Sequence, residues 1–140
     1  VNEMMWLALI LVTQSNGDTL RWYDTTTVGY GAVGFTAETY FHWAITLPID
    51  SIYDGRTVHS GRVHIWEAFD SSGIMRLCRG GYLHIDSVLD SGDFHSTGYG
   101  FYEVFFGDSV VIHEGDTVWL WCSQWQLPGQ YTATSDGGPC

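Results

Sequence analysis

The chain reads as an all-β protein: an antiparallel β-sandwich of jelly-roll-like type, with about eight strands. Three observations predict this. Apolar residues alternate with polar ones over runs of five to ten residues, which is the period of a half-buried strand. Gly, Asp, Ser and Thr clusters separate those runs at short intervals, as turns do. No stretch sustains a 3.6-residue apolar period with caps, so helices are not expected.

Length and composition set the frame. At 140 residues the chain makes one domain, large enough to bury a core without metals or disulfides. Its 7 Trp, 8 Tyr and 7 Phe exclude disorder, which goes with few aromatics. Sixteen acids face 5 bases, all of them Arg, for a formal net charge of -11. Such a chain repels phosphate backbones and anionic membrane surfaces, so neither nucleic acid nor a lipid surface is an expected partner.

Met4 to Val12 is an apolar run of nine residues. A membrane-spanning helix needs about 20, so no membrane span is expected. The run has the length of a signal-peptide core, and Ser15 and Gly17 supply small residues ahead of a mature start at Asp18. Val1-Asn2-Glu3 lacks the usual positive charge. Two other readings stay open. The run is an ordinary buried strand, or it is a donor strand inserting Trp6, Leu7, Leu9 and Leu11 into a neighbouring subunit's sheet. Residues 1–17 are therefore set apart from a sandwich domain at 18–140.

Within that domain Thr19 to Tyr23 is a short strand, and Thr25 to Gly34 is Gly-rich without a nucleotide-binding fingerprint. Glu38 to Leu47 is a long strand with Phe41, Trp43, Ile45 and Leu47 on one face. One helical turn follows Pro48, and Asp54-Gly55 turns the chain. Thr57 to Phe69 is the longest strand, with a bulge expected at Gly61. Asp70 to Gly73 reads as a turn, Ile74 to Arg79 as a strand, and Gly80-Gly81 as its end. Tyr82 to Leu89 reads as a strand stopped by an Asp90 to Asp93 turn, and Tyr99 to Phe106 as an aromatic strand. Val110 to Ile112, the Glu114-Gly115-Asp116 turn and Thr117 to Trp125 form the most legible strand pair. In the last strand Val118, Leu120 and Cys122 face one way, and both faces are apolar, so a central place is expected. Trp119, Trp121 and Trp125 share a face only if that strand stays regular, and the core is read as the home of most of them.

Chemistry-bearing residues are sparse. Glu67 and Glu103 sit mid-strand among apolar neighbours, and Trp66, Tyr102 and Trp119 could stack on a sugar. A paired-carboxylate glycosidase is thereby a minor reading, because two mid-strand Glu on solvent-facing rows are common. Histidines 42, 59, 64, 84, 95 and 113 form no zinc-binding motif, although a bulge at Gly61 would bring His59 and His64 onto one face. Calcium is the better metal candidate: Asp86, Asp90 and Asp93 fall in one strand-to-loop region. Turn-forming Asp residues explain the same cluster more simply. Of the three cysteines, Cys78 and Cys122 lie in expected strands and Cys140 is last. One disulfide and one free thiol are compatible with this, with the pairing undetermined.

Tyr99 to Phe106 followed by Val110 to Leu120, then Gly129 to Pro139, resembles the end of β-sandwich accessory modules of secreted bacterial proteases and surface proteins. Ala44 to Pro48 and Ile52 to Val58 resemble the same module's earlier strand, helical turn and strand. The resemblance covers roughly residues 19–140 and rests on strand and turn patterns. It implies a non-catalytic, extracellular or cell-surface module for binding, attachment or structural support, whose partner is a glycan, another surface protein or itself. In such modules a further strand or two follows the Asp-Gly-Gly-Pro stretch. The expectation here is a fragment, or a sheet completed by another segment such as residues 6–12. The alternatives are a self-assembling surface or filament subunit joined by strand donation through residues 4–12, and a small glycan-binding or glycan-hydrolysing domain.

Overall fold

The structure, a computed structural model, describes residues 9–13, 19–21, 31–33, 38–66, 70–107, 110–129 and 133–135, with side chains for 38–66, 70–107 and 110–129. Trp6, Leu7, Glu67 and Cys140 lie outside these residues, and Leu9 and Leu11 are described by their backbone alone.

Among the described residues eleven strands run in order: β1 (Leu9–Thr13), β2 (Thr19–Arg21), β3 (Gly31–Val33), β4 (Thr39–Pro48), β5 (Arg56–Ile65), β6 (Ser71–Gly81), β7 (His84–Ser96), β8 (Gly100–Phe105), β9 (Val111–Ile112), β10 (Thr117–Gln126) and β11 (Ala133–Ser135). A single 3-10 turn at Ser51–Tyr53 follows Pro48, and no α-helix occurs among the described residues. Among the described residues no helix is long and apolar enough to cross a membrane. One sheet has the order β4-β10-β6-β7, all antiparallel. The other is built on β5, with β8 and β9 pairing it and β1, β2, β3 and β11 completing the sheet. The protein is an antiparallel β-sandwich.

β10 is central, between β4 and β6. Both pairings hold their register from Thr117 to Gln124 without a shift. That regularity splits its side chains into two rows. Val118, Leu120 and Cys122 enter the core with Phe41, Trp43, Ile45, Leu47, Met75 and Leu77. From the opposite sheet Val58, Val63, Ile65, Val104 and Phe106 meet them. Trp119, Trp121, Ser123 and Trp125 form the outer row. The core is therefore not the home of most of these Trp residues. An even, unbulged strand puts all three on one face, and that face is the outside.

Three glycines that read as punctuation are packing positions. A Cβ on Gly61 would strike the Met75 sulfur and crowd Phe106 and Leu120 from across the sandwich. A Cβ on Gly73 would enter the ring of Phe94, its register partner, and one on Gly92 would strike Val104. Glycine in a strand interior often marks such a close approach. Hence β6 begins inside the expected Asp70 to Gly73 turn, and β7 runs unbroken through Asp90 to Asp93. The reversal between them falls at Tyr82-Leu83. The bulge expected at Gly61 lies at His59: Val12 opposes Ser60, but Thr13 opposes Val58. It brings His59 and His64 to the same, outer face, five residues apart though they are.

The β9–β10 turn is held by Asp116, whose Oδ2 accepts from His113 N at 2.9 Å and from Arg79 at 3.3 Å. Asp54 Oδ1 accepts from Glu114 N at 2.9 Å and lies 3.3 Å from His113 Nδ1. The Glu114 amide bond, seconded by His113, holds the Asp54 carboxyl below its usual pKa. These contacts tie the 3-10 turn after β4 to the turn before β10.

Candidate functional site

The outer face of β5 and β8 carries a group of exposed aromatic rings beside polar side chains. Alternation along β8 sends Tyr102 and Val104 inward and Phe101, Glu103 and Phe105 outward. Phe101 and Phe105 remain 51% and 65% exposed, and Tyr99 just before the strand is 67% exposed. His64 packs edge-on against Tyr99 at 4.6 Å and against Phe101 at 4.7 Å between ring centroids. Trp66 meets Tyr99 at 5.4 Å, and His59 meets Phe105 at 5.6 Å. Between the two aromatic groups, Glu103 accepts from Ser60 Oγ at 2.6 Å and pairs with Arg62 at 3.4 Å. The face thus alternates rings, one neutralised ion pair, and rings. His64 is nearly buried among these groups, and loss of hydration pulls its pKa below 6.5.

The residues proposed for sugar stacking do not meet. Trp66 follows β5 and meets Tyr99 on this face. Tyr102 packs toward the core, and its hydroxyl donates to Gly98 O at 2.7 Å and accepts from Thr97 N at 2.9 Å. Trp119 lies on the other sheet, only 5% exposed, its indole N–H donating to Gly81 O at 2.9 Å. Of the carboxylate pair, Glu103 has both oxygens engaged by Ser60 and Arg62.

The three acids considered for calcium are spread along β7. Asp86 lies 3.3 Å from the His84 ring. Asp90 accepts backbone N–H bonds on both oxygens, from Ser91 at 2.7 Å and from Gly107 at 2.8 Å, which joins β7 to the end of β8. Asp93 faces a notch near Tyr40. Among the described residues no group of three or more His, Cys, Asp or Glu is placed to hold a metal ion.

Cys78 and Cys122 are both free and buried, on opposite faces of their sheet: Cys122 belongs to the core, and Cys78 is the register partner of outer-row Trp119. Burial raises both thiol pKa values, with Arg76 opposing weakly. Neither is poised as a nucleophile. The strand considered for donation, as far as it is described, lies in this chain's own sheet, with β2 on one side and β5 on the other.

The outer-face aromatic group went unnoticed in the sequence, although the alternation Phe101, Glu103, Phe105 carries it. Comparison with family models, with curated proteins and with solved structures gave no match.

Proposed function

We propose that the chain is an extracellular, non-catalytic β-sandwich module that works by surface contact, with the outer face of β5 and β8 as its contact face. The observation that carries this reading is the exposure of Phe101 and Phe105 beside Tyr99. Phenylalanine has no polar handle for water, and a grouped apolar surface on a folded domain marks a site of association. Aromatic residues with an Arg are also the residue types enriched at protein interfaces.

Charge favours a second copy of this chain as the occupant. The chain carries a formal charge of -11, and two copies repel over most of their surfaces. Here Arg62 pairs with Glu103, so that acid adds no net charge to the face. Engagement of Glu103 by Ser60 and Arg62 supports a non-catalytic role for it. The in-chain pairing of β1 favours face-to-face contact over strand donation as the mode of assembly.

Light scattering across a dilution series tests the reading. The intact chain is expected to form a discrete oligomer that dissociates on dilution. A Phe101→Ser, Phe105→Ser variant is expected to be monomeric with an unchanged circular dichroism spectrum. An oligomer that survives the double substitution overturns the assignment of the face, and a monomer throughout overturns self-contact.

A further inference from the structure

The opposite side of the sandwich carries a notch of 260 Å³, lined by Tyr40, Ser72, Gly73, Ile74, Asp93 and Ser123. Its origin is visible in the outer row of β10. Trp119, Trp121 and Trp125 place large rings at every second position except Ser123, where the row has only a hydroxymethyl group. The strand is regular through this point, so the missing ring leaves a gap rather than a kink. The neighbours do not fill it. Tyr40 stands edge-on to Trp125 at 5.0 Å, and Arg76 lies over Trp121 at 4.2 Å. Arg76 also donates to Ser123 Oγ at 2.9 Å, which draws the guanidinium beside the gap.

We propose that this notch is a binding site for one neutral sugar ring of a glycan. Its walls combine the groups that recognise a pyranose. Tyr40 lines the notch, is 57% exposed and offers aromatic surface to the apolar C–H face of a sugar, with Trp125 edge-on behind it. Across the gap Asp93, the register partner of Ile74, offers a carboxylate that makes no hydrogen bond or ion pair with another described residue. A carboxylate accepts from two adjacent hydroxyls, and bonds to a charged acceptor are the stronger kind. Ser72 and Ser123 add hydroxyls, the first in contact with His95 Nδ1 at 3.1 Å and the second accepting from Arg76 at 2.9 Å. Size agrees as well: a cavity of about 150 Å³ accepts a bare six-membered ring, and 260 Å³ leaves room for its hydroxyls. The charge of -11, with Asp93 at the rim, selects against acidic sugars. The site is independent of the β5–β8 contact face, so either stands if the other fails.

The test is titration of the intact chain with methyl glycosides of glucose, galactose, mannose and N-acetylglucosamine and with their short neutral oligomers. The readouts are tryptophan fluorescence and calorimetry. At least one of these probes is expected to saturate. Asp93→Asn and Tyr40→Ala, both at exposed positions, are each expected to weaken it about tenfold or more. Ser123→Trp, which completes the row and fills the notch, is expected to abolish it. Phe101→Ser is expected to leave it unchanged. If Ser123→Trp does not fold, the two rim variants carry the test. Absence of saturable binding to every probe overturns the proposal. So does affinity unchanged in both rim variants, or loss of binding in Phe101→Ser alone.

Discussion

The two outer faces of the sandwich are both rich in aromatic rings, yet they treat those rings differently. On the four-stranded sheet most rings have a polar partner. Trp119 donates to Gly81 O, Trp121 lies under Arg76, and Trp125 donates to Glu38 at 3.1 Å. On the β5–β8 face the exposed rings of Phe101 and Phe105 meet, among the described residues, histidine edges. An indole N–H buys hydration or a hydrogen bond where a phenyl ring has neither. The first face is therefore stable in water as it stands, with one gap at Ser123. The second leaves apolar ring surface exposed to water. Counting aromatics would not separate the two; their partners do.

The largest expected effect removes both faces together. Leu120 is fully buried and reaches Gly61 across the sandwich. Leu120→Ala is expected to cost about 2–5 kcal/mol, read from denaturant unfolding. Contact and glycan binding should then fall in parallel with the folded fraction. Next is Gly61→Val, which forces a side chain against Met75, Phe106 and Leu120. It is expected to cost about 1–3 kcal/mol by overpacking. A neutral result would mean that the sheets separate easily at their centre. Arg76→Ala then sharpens the contrast. It removes the cation–π contact to Trp121 and the bond to Ser123, at about 1 kcal/mol. The oligomer of the β5–β8 face should be unaffected.

The smallest effect is set by pH at the β5–β8 face. The pKa of His64 lies below 6.5 in the folded chain because burial disfavours the imidazolium. The unfolded chain then binds the proton more readily, so stability rises with pH. The contribution is whole above 6.5 and declines as pH falls from there toward the folded pKa. Unfolding midpoints measured down through this window should fall in the wild type and fall less in His64→Phe. An equal decline in both would place the titrating group elsewhere.

Much of this arrangement was legible in the chain. Alternation located the core face of β4 and the two rows of β10, though not which row of β10 faces inward, and Pro48 with Asp54-Gly55 located the 3-10 turn and the reversal after it. Glycine was the main source of error. Gly73 and Gly92 carry the composition of turns, but they are small because Phe94 and Val104 occupy the space of their missing side chains. That space is created by residues distant in sequence or on another strand. Asp90 was misplaced for the same reason: its oxygens serve two backbone amides, one of them 17 residues away. The notch at Ser123 could have been found as the single small residue in a row of Trp, had the strand been taken as regular.

By itself the sequence determined the fold class, the acidic character and the two-residue period that sorts inside from outside. Those follow from local sterics and from the exclusion of apolar side chains from water, which act residue by residue. Only the tertiary structure decided which outer face keeps its rings satisfied and which leaves them bare. Hydrogen-bond and stacking partners such as Gly81 for Trp119, Arg76 for Trp121 and Glu38 for Trp125 come from other strands or their flanks, and register alone brings them together.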